Sequence, residues 1–398
     1  MRFCIYFIFV LCLFSILGCE KKNLQGTPTP IQARVPLCNA KIGEKWGFID
    51  SAGKFAINPQ FDEAINFNDD SDQTPVRIGD KWGYINRKGD YLIPLQFENA
   101  YGFNINVGLA AVKQGGKWGF IDKQGHYIIN PQFDETGYFD KSGLVSVLIN
   151  GLWGYIDKSG KTVINPQFVK AYGFDEDMAL AQVQQAGKWG FIDHTGKYVI
   201  NPQFDEVTFF SKETGLIAVK VGSKYGFINK LGKFVINPQF DEVLGFDKNS
   251  GFATVKTGNK WGVIDHTGKY IINPQFDETG WGFDKKSGLM SVKTGNKWGF
   301  VDKSGKLIIN PQFDATLSFD EDTGLAAVKL GKKWGYIDNN GKMVINPQFD
   351  MAAGFIKDFG LIEVMTGGKW GFVDKQGHYV INPQFDAVNE LFLNIDFN

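Results

Sequence analysis

The sequence predicts an all-β fold: a tandem array of ten units of about 36 residues, each of three antiparallel strands, wound as an open superhelix or solenoid. Three observations predict it. A Trp-Gly pair recurs at Trp46, Trp82, Trp118, Trp153, Trp189, Tyr225, Trp261, Trp298, Trp334 and Trp370, with Tyr225 the one substitution and a glycine after each. The composition, 15% aromatic with 48 glycines in 398 residues, suits strands and tight turns rather than helices. The spacing is rigid. In every unit the phenylalanine of an Asn-Pro-Gln-Phe-like string lies 15 positions after the Trp or Tyr225.

Residues 1–18 read as a lipoprotein signal peptide and stand outside the fold. Arg2 supplies a short positive region, and Phe3 to Leu17 is almost wholly apolar but shorter than a membrane span of about 20 residues. The run ends in Ile16-Leu17-Gly18-Cys19, which resembles the lipobox of bacterial lipoproteins, although Leu17 departs from the small residue usual at its place. The resemblance implies a diacylglyceryl anchor on Cys19, export, and a place in the cell envelope, at the outer membrane or the cell surface. Cys4 and Cys12 would leave with the signal. Cys38 then has no cysteine to pair with and reads as a small apolar residue of the first strand. Residues 19–36 carry the lipidated Cys19 and a polar tether with Pro28, Pro30 and Pro36. Its flexible part would span about 23 Å root-mean-square.

The array occupies residues 37–392, and residues 393–398 form a tail. The third unit shows the pattern. Leu109 to Lys113 alternates as a strand, Gln114-Gly115-Gly116 is a tight-turn signal, and Trp118 to Asp122 is a second strand. Asp122-Lys123-Gln124-Gly125 makes a turn, and Tyr127-Ile128-Ile129 a third strand, which Asn130-Pro131 is expected to end. The glycine after each tryptophan sits inside a strand, where it is unfavourable, so close backbone approach is its expected reason. Length varies only between the motif phenylalanine and the next Gly-Leu-like pair: Phe133 to Gly143 is 10, Phe276 to Gly288 is 12. Hairpins tolerate no such insertion, because one extra residue would turn every later side chain to the other face. The variable crossover is therefore where a binding face is expected. Ten whole units leave no strand over for the opposite terminus, which favours the open form; a closed, propeller-like ring is the alternative.

The recurring Lys-Trp-Gly-Phe-Ile-Asp-Lys-x-Gly-Lys-x-Val-Ile-Asn-Pro-Gln-Phe-Asp, clear from Lys117 to Asp134 and from Lys297 to Asp314, resembles the WG or KWG repeat of bacterial proteins. The resemblance covers residues 37–392. Departures include Tyr225 for Trp, Leu152 for Lys, Val169 for Asp, and Ile93-Pro94-Leu95-Gln96-Phe97 for the usual string. It implies proteins often exported or lipid-anchored, mostly without an assigned activity, and it supplies no catalytic residues.

The chemistry-bearing residues follow the repeat. His126 and His378 share one turn slot, His194 and His266 another, so no zinc cluster is expected. Asp122, Asp157, Asp193, Asp265, Asp302, Asp338 and Asp374, with Asn86 and Asn229, hold the first turn position, where they bond their own backbone better than they would hold calcium. Acidic pairs such as Asp134-Glu135 recur in several units, whereas a glycosidase needs one special pair. The net charge of −1 lacks the basic stripe of a nucleic-acid binder. No nucleophile, cofactor or metal site is expected, and the chain reads as not an enzyme.

The crossovers carry two aromatics each in several units. Phe103, Phe139, Phe174, Phe210 and Phe283 recur and belong to the core; Tyr101, Tyr138, Tyr172, Phe209 and Trp281 vary and are the candidate binding residues. The expected function is a lipid-anchored envelope protein that engages a protein partner over an elongated repeat surface. The alternative is glycan or peptidoglycan binding by stacking on these aromatics.

Overall fold

The computed structural model describes residues 35–67, 71–208 and 210–388, which belong, apart from Val35, to one compact unit. The signal segment, Cys19, nearly all of the tether, Phe209 and the tail 393–398 lie outside the described residues.

In the third unit the strands Ala110–Gln114, Lys117–Ile121 and Tyr127–Phe133 pair antiparallel. Gly115 and Gly116 join the first two with φ of 59° and 73°, the paired positive values that a two-residue hairpin turn of the favoured hand requires.

The third strand does not end at Asn130-Pro131. It runs to Phe133 as one bulged strand in which Trp118 pairs with Phe133 and Phe120 with Ile129, leaving Asn130, Pro131 and Gln132 opposite Gly119 alone. A bulge tolerates proline because the ladder there does not need its missing N–H. The bulged backbone folds onto the glycine: a Cβ on Gly119 would stand 2.6 Å from both the Ile129 carbonyl oxygen and the Pro131 nitrogen. The same approach recurs at every Trp-Gly pair, from Gly47 to Gly371. The invariant spacing of 15 thus joins two residues that face each other across the ladder.

Each sheet has four strands, not three. One residue after Phe133, the short segment Glu135–Thr136 pairs with Leu144–Ile149 of the next unit and leads its sheet. The chain therefore passes from blade to blade over the single residue Asp134. The variable crossover is mostly a loop inside a blade, between its lead strand and its first long strand.

The open superhelix is corrected by the ends of the array. Ala387–Val388 leads the first blade, with Ala40 opposite Val388 and Lys41 opposite Ala387. The Asp386 N–H donates to the Lys41 carbonyl at 2.9 Å. The strand missing from the sequence count was the short one at the end, and the ten blades close into a propeller-like ring, the alternative reading.

Alternation within each strand explains the packing. Trp118 and Phe120 point to one face and meet Val145, Val147 and Ile156 of the fourth blade, while Ile121 points to the other and meets Trp82 and Tyr84 of the second. Every core is thus shared between two blades. The core at the seam joins Leu361, Phe372, Ile381 and Phe385 of the last blade to Cys38, Ala40 and Ile49 of the first. Cys38 is buried there at 3% exposure, in the first strand, Cys38–Ile42.

Substituting Gly119→Ala forces a Cβ into backbone that cannot rotate away, and should cost about 1–3 kcal/mol in chemical denaturation. Gly102→Ala, with nothing within 4 Å of its would-be Cβ, is the neutral control. Equal stability of the two variants would refute the close-approach account.

Candidate functional site

A lysine precedes the repeat aromatic in every unit but the one with Leu152, and in most of them it is engaged. Its ammonium pairs with the aspartate that follows the motif phenylalanine: Lys45 with Asp62 at 2.6 Å, Lys260 with Asp277 at 2.6 Å, Lys297 with Asp314 at 2.7 Å, and Lys333 with Asp350 at 2.6 Å. The second oxygen of each carboxylate accepts a backbone N–H from the hairpin turn of the next blade, as Asp62 does from Gly79 at 2.7 Å and Asp277 from Gly295 at 2.8 Å. One carboxylate therefore ties two blades. Asp386 spans the seam the same way, bonded to Lys369 and to Gly43 N at 2.8 Å. Glu98 stands in at one junction, taking Gly115 N and Gly116 N at 2.8 and 2.9 Å. Leu152 and Val169, two departures from the repeat string, fall in the same unit and remove both halves of one clamp.

The turn aspartates bond their own backbone, as the sequence indicated. Asp50 Oδ1 accepts the N–H of Ala52 and of Lys54 at 3.0 Å, and Asp265 repeats the pattern with Thr267 and Lys269. His126 and His378 each place Nδ1 near the aspartate of their own turn, at 3.2 and 3.1 Å, while His194 stacks on Phe174 with centroids 4.2 Å apart. Three glutamates of the acidic pairs are engaged too: Glu206 with Lys220 at 2.6 Å, Glu242 with Lys256 at 2.7 Å and Glu278 with Lys293 at 2.6 Å. These lysines also lie over the repeat aromatic, Lys256 over Trp261 at 5.6 Å and Lys220 over Tyr225 at 5.2 Å. Tyr225 differs from the tryptophans in donating its hydroxyl to Glu206.

The loop aromatics divide as expected for the recurring set. Phe103, Phe139, Phe174 and Phe283 are buried, and Phe139 packs edge-on against Phe120 at 4.9 Å; Phe210 is half-buried against Phe191. The variable set is not uniform. Tyr101 stacks on Trp118 at 4.7 Å and touches Tyr138, so it is largely a packing residue. Tyr172 stacks on Trp189 at 5.4 Å and 8° but stays 37% exposed. Tyr138 is 56% exposed and Trp281 76%. Tyr138 and Tyr172 come together on the walls of one cleft of about 340 Å³ between the fourth and fifth blades; Trp281 stands apart on the eighth. The clamps and the cleft were not found from sequence. The coincident loss at Leu152 and Val169 was the signal for the clamp.

These features define a closed ten-bladed β-propeller whose charged side chains mainly hold blades together and whose most exposed aromatics, Tyr138 and Trp281, stand on its loops. The profile of the WG containing repeat matches residues 46–82, 82–118, 118–153, 153–189, 189–225, 225–261, 261–298, 298–334, 334–370 and 370–391. The chain belongs to that family. No curated protein matches it. Among solved structures, a eukaryotic initiation factor is similar over 90% of this chain and 98% of its own at 12% identity and a TM-score of 0.54, a likeness of fold alone. Dihydro-heme d1 dehydrogenase NirN (11% identity, 88% and 73% covered, TM-score 0.39) and Hsv2p of Kluyveromyces lactis (10%, 59% and 95%, 0.33) are more distant.

The lysine hydrogen bond, and after it the turn N–H, hold the carboxyls of Asp62, Asp241, Asp277, Asp314, Asp350 and Asp386 below the usual carboxylate range. A carboxyl lowered on folding stabilises the ring fully above its unfolded-state value and loses that contribution as pH falls through the folded one. The melting temperature should therefore be flat from about pH 7 to 5 and fall below about pH 4. The Lys333→Met variant should show a shallower fall; an identical acid profile would mean that the clamps carry no stability.

Proposed function

We propose that the protein is a non-enzymatic scaffold, held on the cell envelope by lipid on Cys19, that binds a protein partner through the loops of its ring. One observation carries the binding reading: Trp281, 76% exposed, sits on a loop with little freedom to fold it away. The flanking Gly280 and Gly282 lie where a Cβ would stand 2.5 Å from Ser291 Oγ and 2.6 Å from Asp247 Cβ. A large aromatic presented on a constrained loop is the kind of anchor that dominates protein interfaces. The ring supports the reading further, since loops of ten blades on one closed body let weak contacts add through avidity. The polar groups argue in the same direction, because the repeated lysines, aspartates and glutamates are largely engaged within and between blades. The envelope placement rests on the likeness of Leu17-Gly18-Cys19 to a lipobox.

Crosslinking in native envelopes should recover a protein partner, and Trp281→Ala should reduce that capture by about 30-fold, the effect of losing an interface anchor. Undiminished capture, or retention on glycan beads in place of protein, would overturn the reading. Separately, Cys19→Ala should move the protein from the membrane to the soluble fraction; if it stays with the membrane, lipid on Cys19 is not the anchor.

A further inference from the structure

The cleft between the fourth and fifth blades differs from its counterparts in what lines it. Its walls come from two successive crossovers: Tyr138 and Asp140 from one, and from the next Tyr172 in the lead strand Lys170–Phe174 with Asp175 and Glu176 just after it, Gln182 lying behind. At about 340 Å³ it lies near the low end of small-molecule pockets, and is sized for one side chain rather than a large cofactor. A cleft at the same place between the ninth and tenth blades holds about 200 Å³ and is lined by Leu317, Phe319, Tyr336 and Phe355 with Asp320 as its one carboxylate. The scaffold supplies the place; the loop residues make this cleft acidic and aromatic.

The carboxylates are only partly used. Asp140 Oδ1 accepts the Leu144 N–H at 3.1 Å and the Ser142 hydroxyl at 2.5 Å, while its Oδ2 is buried without a hydrogen-bond partner. Asp175 Oδ1 accepts the N–H groups of Asp177 and Met178 at 3.1 and 2.8 Å. Among the described residues neither aspartate forms an ion pair, and Glu176 is met by Lys141. Asp140 and Asp175 therefore border a gap walled by tyrosines without an ion-pair partner, while Glu176 is met by Lys141 and lies in the field of Lys212. Those tyrosines are held in place, Tyr172 by its stack on Trp189 and Tyr138 by Tyr101, which in turn stacks on Trp118. Leu152 and Val169 leave this same junction without the lysine–aspartate clamp found at its neighbours.

We infer that this cleft takes a basic side chain, the guanidinium of arginine or the ammonium of lysine, from the protein partner. The inference rests on the scaffold reading and names the chemistry of the partner's contact. A cation there gains the faces of Tyr138 and Tyr172 together with the charge of Asp140 and Asp175. It also joins a loop of the fourth blade to one of the fifth, bridging the junction that lacks its own clamp. Arginine fits best, because its planar fork can stack on tyrosine while it reaches the carboxylate of Asp175 and lies in the field of Asp140.

The test uses the full-length chain in detergent micelles, titrated by NMR at low salt with the capped peptide Gly-Gly-Arg-Gly-Gly and with its citrulline isostere, which keeps the shape and loses the charge. The arginine peptide should bind about 10-fold more tightly than the citrulline peptide. The double variant Asp140→Asn/Asp175→Asn keeps the Oδ1 turn bonds, so it should melt like the parent while abolishing most of that preference. Tyr138→Ala should weaken the arginine peptide by about 2- to 5-fold, and Asp320→Asn in the second cleft should leave it unchanged. Equal binding of the two peptides, an unaltered preference in the double variant, or displacement of the peptide by a neutral oligosaccharide such as chitohexaose that binds regardless of both aspartates would each overturn the inference. Peptide binding reports only on the cleft. Recovery of a Trp281-dependent partner beside a negative titration would sink this inference alone, and the reverse pattern would sink the scaffold reading alone.

Discussion

No blade of this protein can bury its own apolar faces. A four-stranded antiparallel sheet has two of them, and here both are apolar at the central strands, so each core needs a neighbour. An open array would leave one face bare at each end. Trp46 and Phe48 show how the demand is met at one junction, and Ile49, on the opposite face of the same strand, meets the last blade rather than water. Closure is the geometric answer to a repeat that is sticky on both sides.

The bulge and the glycine packed beneath it recur in every blade. With Asn130, Pro131 and Gln132 packed down on Gly119, Phe133 is drawn level with Trp118 and both contribute to the same shared core. The clamps then act across the blades rather than within them, since each aspartate reaches forward to the next hairpin turn while holding a lysine of its own blade. Packing and polar bonding thus run through the same junctions. Val169 breaks the polar half at one of them and leaves the apolar half intact: Phe168, Ala171, Phe174 and Ile192 still form its core.

The sequence carried the hairpins because strand alternation, turn glycines and the Trp-to-Phe interval are local signals. Asp122 and its fellows were legible for the same reason: their partners are two and four residues away. The lead strand was not. Two residues such as Glu135-Thr136 show no periodicity, and their pairing depends on the next repeat being in place. Pro131 misled as well, since proline ends a flat strand but is at home in a bulged one. The open form followed from that missed strand. Of the candidate contacts, Tyr101 and Trp281 look alike in sequence, each an aromatic beside Gly-Phe. Only the stack of Tyr101 on Trp118 separates a packing residue from an exposed one.

The seam has a consequence for biosynthesis. Ala387 and Val388 form the last strand of the ring in chain order, and the first blade waits for them with its edge beside Ala40 and Lys41 unpaired. Until then the nascent chain presents two apolar ends, the unshared faces of Ile49 and of Phe372, to anything nearby. An arc of blades released early would seek another arc, so premature termination should yield entangled oligomers rather than a shorter ring. For this architecture one two-residue strand decides whether the ring closes on itself or on a neighbour.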